Sequence, residues 1–218
     1  MKDSNILKNI LFYLGLVGLL SGSTVFGREK MPQDKGSQTA EAVFAMGCFW
    51  CGESEFRDHE TNQLLPGVKE IRVGFAGGTK PNPTYESHEG YKEAVKVTYD
   101  PKVISFDKLL EIFWYNVDAV DSGGQFCDRG FPYTSVVYFK TPEEKALIEK
   151  KMGEFQKLVS EPIVTELTSF TTFYDAEEYH QNYKSKNPIR YKYYRWNCGR
   201  DKRLEKLWGK ARHYAEPK

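Results

Sequence analysis

The sequence predicts an α+β fold, a two-layer sandwich of helices packed on one mixed sheet. Three observations carry that expectation. Val68–Phe75 and Glu93–Tyr99 alternate apolar and polar residues with the period of a strand, while segments opening at Ser105 and Thr141 repeat apolar residues as a helix face does. These signals run in the order strand, helix, strand, strand, helix, strand, which is that of a ferredoxin-like core. The composition supports a packed interior: of 218 residues, 40% are hydrophobic, 15% aromatic and 28% charged, which excludes a disordered, collagen-like or coiled-coil chain.

The chain opens on an address. Lys2 and Lys8 precede an apolar run of 11 residues, Ile10–Leu20, and small residues follow as far as Gly27. That pattern reads as a secretory signal peptide over residues 1–27. The run is short for a membrane span, which takes about 20 residues. Residues 28–40 are polar with Gly and Pro and read as a linker, leaving a folded domain over 41–218. The protein is therefore expected to be exported, periplasmic or otherwise extracytoplasmic, and membrane-anchored only if the signal stays uncleaved.

Within the domain, Glu41–Ala45 is a short apolar strand, and Gly52–Arg57 a helix with acids in its first turn. Val68–Phe75 is a strand that stops at Gly77-Gly78, Pro81-Asn82-Pro83 forces a loop, and Glu93–Tyr99 is the next strand. Ser105 opens a helix with Phe106, Leu109, Leu110, Phe113, Trp114 and Val117 on one face. Residues 121–134 form a Gly-rich loop before the strand Ser135–Phe139. Thr141-Pro142-Glu143-Glu144 is a capping box with Pro at the first helical position, and Leu147, Ile148, Met152, Phe155 and Leu158 make the stripe behind it. Ile163–Leu167 reads as a strand, Asp175–Tyr183 as a short capped helix, and Leu204, Leu207, Trp208 and Ala211 mark a last amphipathic helix. The stripes, Met152 included, read as core.

A net charge of +1 excludes a general nucleic-acid binder, yet residues 184–218 hold twelve Lys or Arg against Asp201, Glu205 and Glu216, a local +9 that leaves −8 for the rest. This basic C-terminal extension reads as a solvated helix face ahead of a polyanion site. A third reading is that its charge acts on Cys198.

All four cysteines, Cys48, Cys51, Cys127 and Cys198, follow the signal. A domain of this size needs no staples, so they form structural disulfides or do thiol chemistry. Cys48 stands where a strand ends and a helix begins, a position expected to lower a thiol's pKa from about 8.5. Phe49 and Trp50 would build an aromatic wall beside it, suited to a small apolar group. The C-x-x-C of Cys48 and Cys51 also admits a local disulfide, half a zinc site or a thioredoxin-like pair. Zinc wants a second close pair, whereas Cys127 and Cys198 are 71 residues apart. A thioredoxin-like pair usually has its aromatic residue ahead of the first cysteine. No metal is expected and, with no Gly-rich phosphate loop or HExxH motif, no cofactor. Glu93, at a strand mouth beyond the Pro83-Thr84-Tyr85 loop, would deliver a proton to a leaving oxygen if burial raises its pKa. Cys127, Asp128 and Tyr133 share the Gly-rich loop, where functional groups tend to sit. His180 reads as a structural hydrogen-bonding residue.

Gly47-Cys-Phe-Trp50, Gly74–Gly78 with Pro81–Tyr85, Glu93-Ala-Val95, Asp128–Tyr133 and His180–Tyr183 with Lys186-Asn-Pro188 closely resemble the A-class peptide methionine sulfoxide reductases, in order, from about Glu41 to Cys198. The resemblance implies an oxidoreductase with disulfide as acceptor, which repairs protein-bound or free methionine S-sulfoxide. Cys48 would attack the sulfoxide sulfur, Glu93 protonate its oxygen with help from Tyr85 and Tyr133, Phe49 and Trp50 hold the methyl, and Asp128 orient the polar side. Cys48 would become a sulfenic acid. A second thiol would close a disulfide, in the order of preference Cys198, Cys51, Cys127, and a thioredoxin-like reductant would open it. A monomer that binds no nucleic acid is implied. Two departures stand out: the gap from Pro188 to Cys198 is longer than usual, and Tyr91-Lys92 replaces a His-Ala pair, which is expected to alter the entrance. Two other readings stay open, a thiol–disulfide oxidoreductase using Cys48 and Cys51, and a non-enzymatic domain held by disulfides whose basic tail binds a partner.

Overall fold

In the computed structural model, residues 39–209 are described. The expected signal peptide, nearly all of the linker and Ala211 lie outside them. The chain forms β1 (Ala40–Ala45), α1 (Phe49–Glu55), β2 (Val68–Ala76), β3 (Lys92–Tyr99), α2 (Phe106–Tyr115), the two-residue pair β4 (Gly124–Gln125) and β5 (Asp128–Arg129), β6 (Val136–Phe139), α3 (Pro142–Gln156), β7 (Glu166–Ser169), β8 (Phe173–Asp175), α4 (Tyr183–Lys186), α5 (Pro188–Asn197) and α6 (Arg200–Trp208). The main sheet has the order β7-β6-β1-β3-β2-β8, antiparallel except for the β6–β7 pair. Its four inner strands, with α1 and α2 as the crossovers, are the expected ferredoxin-like core within an α+β fold.

Burial explains why these segments hold. Leu109, Leu110, Ile112, Phe113 and Trp114 of α2 are all fully buried, and Phe113 stacks on Phe44 of β1 with ring centroids 5.4 Å apart. Burying each such side chain is worth about 1.5–3 kcal/mol. Ser105 caps α2 by accepting from the Lys108 amide at 3.1 Å. Thr141 caps α3 by accepting from the Glu144 amide at 3.2 Å, while the Glu144 carboxylate reaches back to the Lys140 amide at 2.6 Å.

Several expected boundaries move. The first helix starts at Phe49, so its acids Glu53 and Glu55 lie beyond the first turn, and both are buried. α3 ends at Gln156, which puts Leu158 outside its stripe and 56% exposed. The strand expected at Ile163–Leu167 is Glu166–Ser169, because Val164 instead bonds back to the Ala119 carbonyl and pairing with β6 begins at Glu166. Asp175–Tyr183 is not one helix: Asp175 closes β8 against Gly74, and only a 3-10 turn at Glu178–His180 follows before α4.

The basic extension is built into the fold. Leu204 and Trp208 are buried in the main core. Arg200, 1% exposed, donates to the carbonyls of Met46 (3.3 and 3.4 Å) and Asn116 (2.6 Å), with its Nε 3.7 Å from Glu55. Arg195 pairs with Glu55 at 2.5 Å and Asp201 at 2.7 Å, and Arg203 with Asp118 at 2.5 Å. These three guanidiniums are thus spent on acids and carbonyls of the domain, while Lys186, Arg190, Lys192, Lys202 and Lys206 are exposed, as a solvated face requires. Arg200→Met is expected to cost about 3–5 kcal/mol, since it strands buried carbonyls and weakens the compensation of Glu55. Chemical denaturation measures it.

Candidate active site

Cys48 sits on the turn from β1 into α1. Gly47 makes that turn with φ +77°, and a Cβ there would stand 2.5 Å from the Cβ of Gln125. Glycine thus supplies the left-handed backbone and also lets the 118–133 loop close over the thiol. Gln125 ties that loop down: it is fully buried, accepts from the Asp118 amide at 2.7 Å, and donates to the Asp118 and Gly124 carbonyls at 2.9 Å each. Asp128 and Tyr133 arrive at the site on this loop.

The thiol does not have the expected low pKa. Burial pushes Cys48 well above the ordinary range, and Cys51, Glu93 and Asp128 push it the same way. α1 is only seven residues long, and its Phe49 amide is spent on Glu93 Oε2 at 2.9 Å. The helix start therefore serves the carboxyl more than the sulfur. Cys51, one turn on and 2% exposed, goes the other way: the hydrogen bond with Cys48 brings it down to about 7, and the charges of Arg200 and Arg195 reinforce this against burial.

Glu93 lies on β3 opposite Phe75 and is 1% exposed. Burial raises its carboxyl to about 8, the Phe49 N–H partly offsets this, and Asp128 and Cys51 add to the rise. At neutral pH it holds a proton. Tyr85 is lifted to about 12 by burial and by Glu93, and Tyr133 is raised for the same reasons, so both hydroxyls are donors.

Cys48, Phe49, Trp50, Tyr85, Glu93, Asp128, Tyr133 and Tyr194 line one cavity of about 70 Å³. This gathers all the sequence-predicted site residues except the other three cysteines. Its size fits a small terminal group, and its aromatic wall is braced from behind. Trp50 stacks on Tyr183 with centroids 3.7 Å apart and donates from Nε1 to His180 Nδ1 at 3.1 Å. His180 thus makes the structural hydrogen bond expected of it, and its ring lies 5.1 Å from that of Phe49. A larger groove of about 800 Å³ runs along α5 and α6 and holds none of the expected site residues.

Tyr194 is the residue that sequence reasoning missed. It donates to Asp128 Oδ2 at 2.5 Å and lines the cavity together with Cys48. Its signal was its place four residues before Cys198, which puts the two on one face of α5. Cys198 follows at the corner where Gly199, φ +64°, ends that helix. There it is bonded to Cys127, with a Cα–Cα distance of 4.8 Å, while Cys48 and Cys51 are free. The Cys127 and Cys198 sulfurs and a carboxylate oxygen of Asp128 lie within 4.8 Å of one another, so the disulfide abuts a residue of the cavity wall. The bond occupies both sulfurs, and the group offers no complete zinc set.

A profile described as peptide methionine sulfoxide reductase matches residues 40–212. The chain belongs to that family. The peptide methionine sulfoxide reductase MsrA 2 of Caulobacter vibrioides is 44% identical over 177 residues, which cover 79% of this chain and 87% of that one. MsrA 2 of Rhizobium meliloti is 40% identical over 177 residues, 80% and 86% of the two chains. Among solved structures, reduced Mxr1 of Saccharomyces cerevisiae superposes with a TM-score of 0.62 at 28% identity, over 69% of this chain and 87% of that one. Methionine sulfoxide reductase A of Corynebacterium diphtheriae superposes at 0.60 and 30% identity, over 69% and 76%. Membership makes the enzyme a methionine sulfoxide reductase and sets aside the disulfide-oxidoreductase and non-enzymatic readings.

Against the family pattern, the Tyr91-Lys92 departure acts through the site's frame. Tyr91 and Lys92 are buried, and Lys92 Nζ donates to the Phe131 carbonyl at 3.1 Å and to Thr134 Oγ1, with its ammonium 3.5 Å from the centre of the Phe131 ring. Lys92 thereby props the turn that carries Tyr133.

Proposed function

We propose that Cys48 reduces methionine S-sulfoxide in oxidised proteins, and that the single observation carrying this assignment is the enclosure of a free thiol and a protonated carboxyl in one small aromatic cavity. As Cys48 attacks the sulfoxide sulfur, its proton passes to the Cys51 thiolate, and Glu93 gives its own proton to the sulfoxide oxygen. Tyr85 and Tyr133 donate hydrogen bonds to that oxygen, and Phe49 and Trp50 hold the methyl. The oxygen, with the Glu93 proton, then passes from the methionine sulfur to the Cys48 sulfur as the bond between the two sulfurs breaks, so that methionine leaves and Cys48 carries a sulfenic acid. Cys198 then displaces it as water to form a Cys48–Cys198 bond, and Cys127 displaces Cys48 to give the Cys127–Cys198 bond seen at the edge of the site.

A thioredoxin-like dithiol opens that bond, and Cys127, on the exposed side, is the sulfur it reaches. The basic start, 11-residue apolar run and small residues of the first 27 positions support export, which puts reductant and substrate outside the cytoplasm. The cavity sets an acid and two tyrosine hydroxyls against an aromatic wall in one chiral arrangement, and so takes one epimer at sulfur. A peptide carrying methionine S-sulfoxide is expected to be reduced, and the same peptide with the R epimer left unchanged. Reduction of both at similar rates contradicts the assignment.

A further inference from the structure

Opening the Cys127–Cys198 bond turns one edge of the site into a cluster of metal-ligating groups. The two sulfurs and a carboxylate oxygen of Asp128 come from the β4–β5 hairpin and from the corner that ends α5, and they lie within 4.8 Å of one another. Zinc binds thiolate at about 2.3 Å and carboxylate at about 2.0–2.2 Å, which sets tetrahedral donors about 3.5–3.8 Å apart. Once the sulfurs part, side-chain adjustment alone brings the cluster to that spacing. The carboxylate is already oriented for it: Oδ2 accepts from Tyr194, and Oδ1 faces the Cys127 sulfur at 3.8 Å. A ligating carboxylate is commonly held by such a hydrogen bond behind it.

The disulfide is not all that shapes the cluster. Tyr194 to Asp128, Arg203 to Asp118, and the Arg200 guanidinium 4.5 Å over the Phe126 ring also join the α5–α6 corner to this loop. Cys127 is exposed, and Asp128 and Cys198 are partly so, which admits an ion and a water from solvent. A zinc ion on two thiolates and a carboxylate leaves one negative charge in excess, and the Arg200 charge that already acts on Asp128 offsets it.

We propose that Cys127, Cys198 and Asp128 form a zinc site in the reduced protein, an open site with water as the fourth ligand. Binding releases the protons of the two thiols and breaks no bond of the chain. Held on the metal, the sulfurs neither attack the Cys48 sulfenic acid nor close their own disulfide, so zinc and the disulfide are alternative occupants of the same pair. The binding stands on the geometry alone; the block on resolution rests on the sulfoxide reductase reading above.

The test uses full-length protein, fully reduced and freed of reductant in the absence of air. Zinc is titrated against a chromogenic chelator, and cobalt serves as its spectroscopic substitute. One zinc per chain is expected, none on the disulfide form, with cobalt giving thiolate charge-transfer absorption and the visible bands of tetrahedral coordination. Bound zinc is expected to shield Cys127 and Cys198 from alkylation and to leave the reactivity of Cys48 and Cys51 unchanged. Cys127→Ser and Cys198→Ser are each expected to weaken binding more than about 100-fold, and Asp128→Asn about 10–100-fold. A Cys48→Ser, Cys51→Ser double variant is expected to bind as the wild type does. No zinc on the reduced, folded protein, equal binding by the disulfide form, or zinc that shields Cys48 and Cys51 instead overturns the proposal. Binding as expected with no methionine released by the zinc-free protein overturns the reductase reading and leaves the zinc site standing.

Discussion

Replacing Cys48 by Ser is expected to bring methionine release down to background while leaving the fold intact. A hydroxyl is a weak nucleophile at its free pKa, and nothing around position 48 activates one. In the proposed mechanism Glu93 gives its proton to the substrate's oxygen, and the group that takes the nucleophile's proton is a thiolate, far too weak to deprotonate an alcohol. No other cysteine substitutes: Cys51 does not line the cavity, and Cys127 and Cys198 are bonded to each other. The change is nearly isosteric, so thermal unfolding shifts little, whereas the methionine assay falls to zero. Residual turnover in this variant at even a tenth of the wild-type rate contradicts the assignment of the nucleophile.

Glu93→Gln is the second large effect, a loss of about 10²–10⁴-fold in kcat/KM, the usual contribution of a positioned general acid. The amide preserves size and most of the burial but has no acidic proton to give. The wild-type pH profile separates this from a packing defect. Cys51 loses its proton at about 7 and becomes able to accept that of Cys48, so the rate rises through that pH; Glu93 loses its own at about 8, so the rate falls beyond it. The variant loses the falling limb near 8. Stability moves with the same group. Between about 4.3, the value of an unfolded Glu, and about 8, the native state holds a proton that the unfolded chain has released. Glu93's contribution to stability therefore declines as pH rises through that window, by at most about 1.4 kcal/mol per unit, and the Glu93→Gln variant lacks that slope.

Much of this site was legible before any coordinates. The glycine ahead of Cys48, the aromatic pair after it, and Glu93 at the start of an alternating strand are local patterns, and a motif carries local pattern well. The strand and helix order likewise led to the ferredoxin-like core, since each period is a property of one segment. What escaped depends on groups far apart in the chain. The Cys48 pKa was expected low from the helix start alone, but burial and the approach of Glu93 and Asp128 reverse it. The pairing of Cys127 with Cys198 has no local signal, because cysteine connectivity is set by the fold. Tyr194 escaped because Pro188–Asn197 mixes basic and aromatic residues, and of its ten residues only Tyr191 is buried, so no apolar stripe marks the side that faces the site. Within the basic stretch of residues 184–218, the inward role of Arg195, Arg200 and Arg203 has no local signal, because their partners Glu55 and Asp118 lie far upstream.

The central claim is that oxygen passes from the methionine sulfur to Cys48. Single-turnover mixing of fully reduced protein with a peptide carrying methionine S-sulfoxide, quenched with dimedone at successive times and mapped by mass, tests it directly. The predicted result is methionine appearing in step with a Cys48 modification, trapped first as the dimedone adduct, then as a Cys48–Cys198 disulfide that gives way to the Cys127–Cys198 bond. Methionine release in which Cys48 stays an unmodified thiol throughout, with the adduct on Cys127 or Cys198, would contradict it.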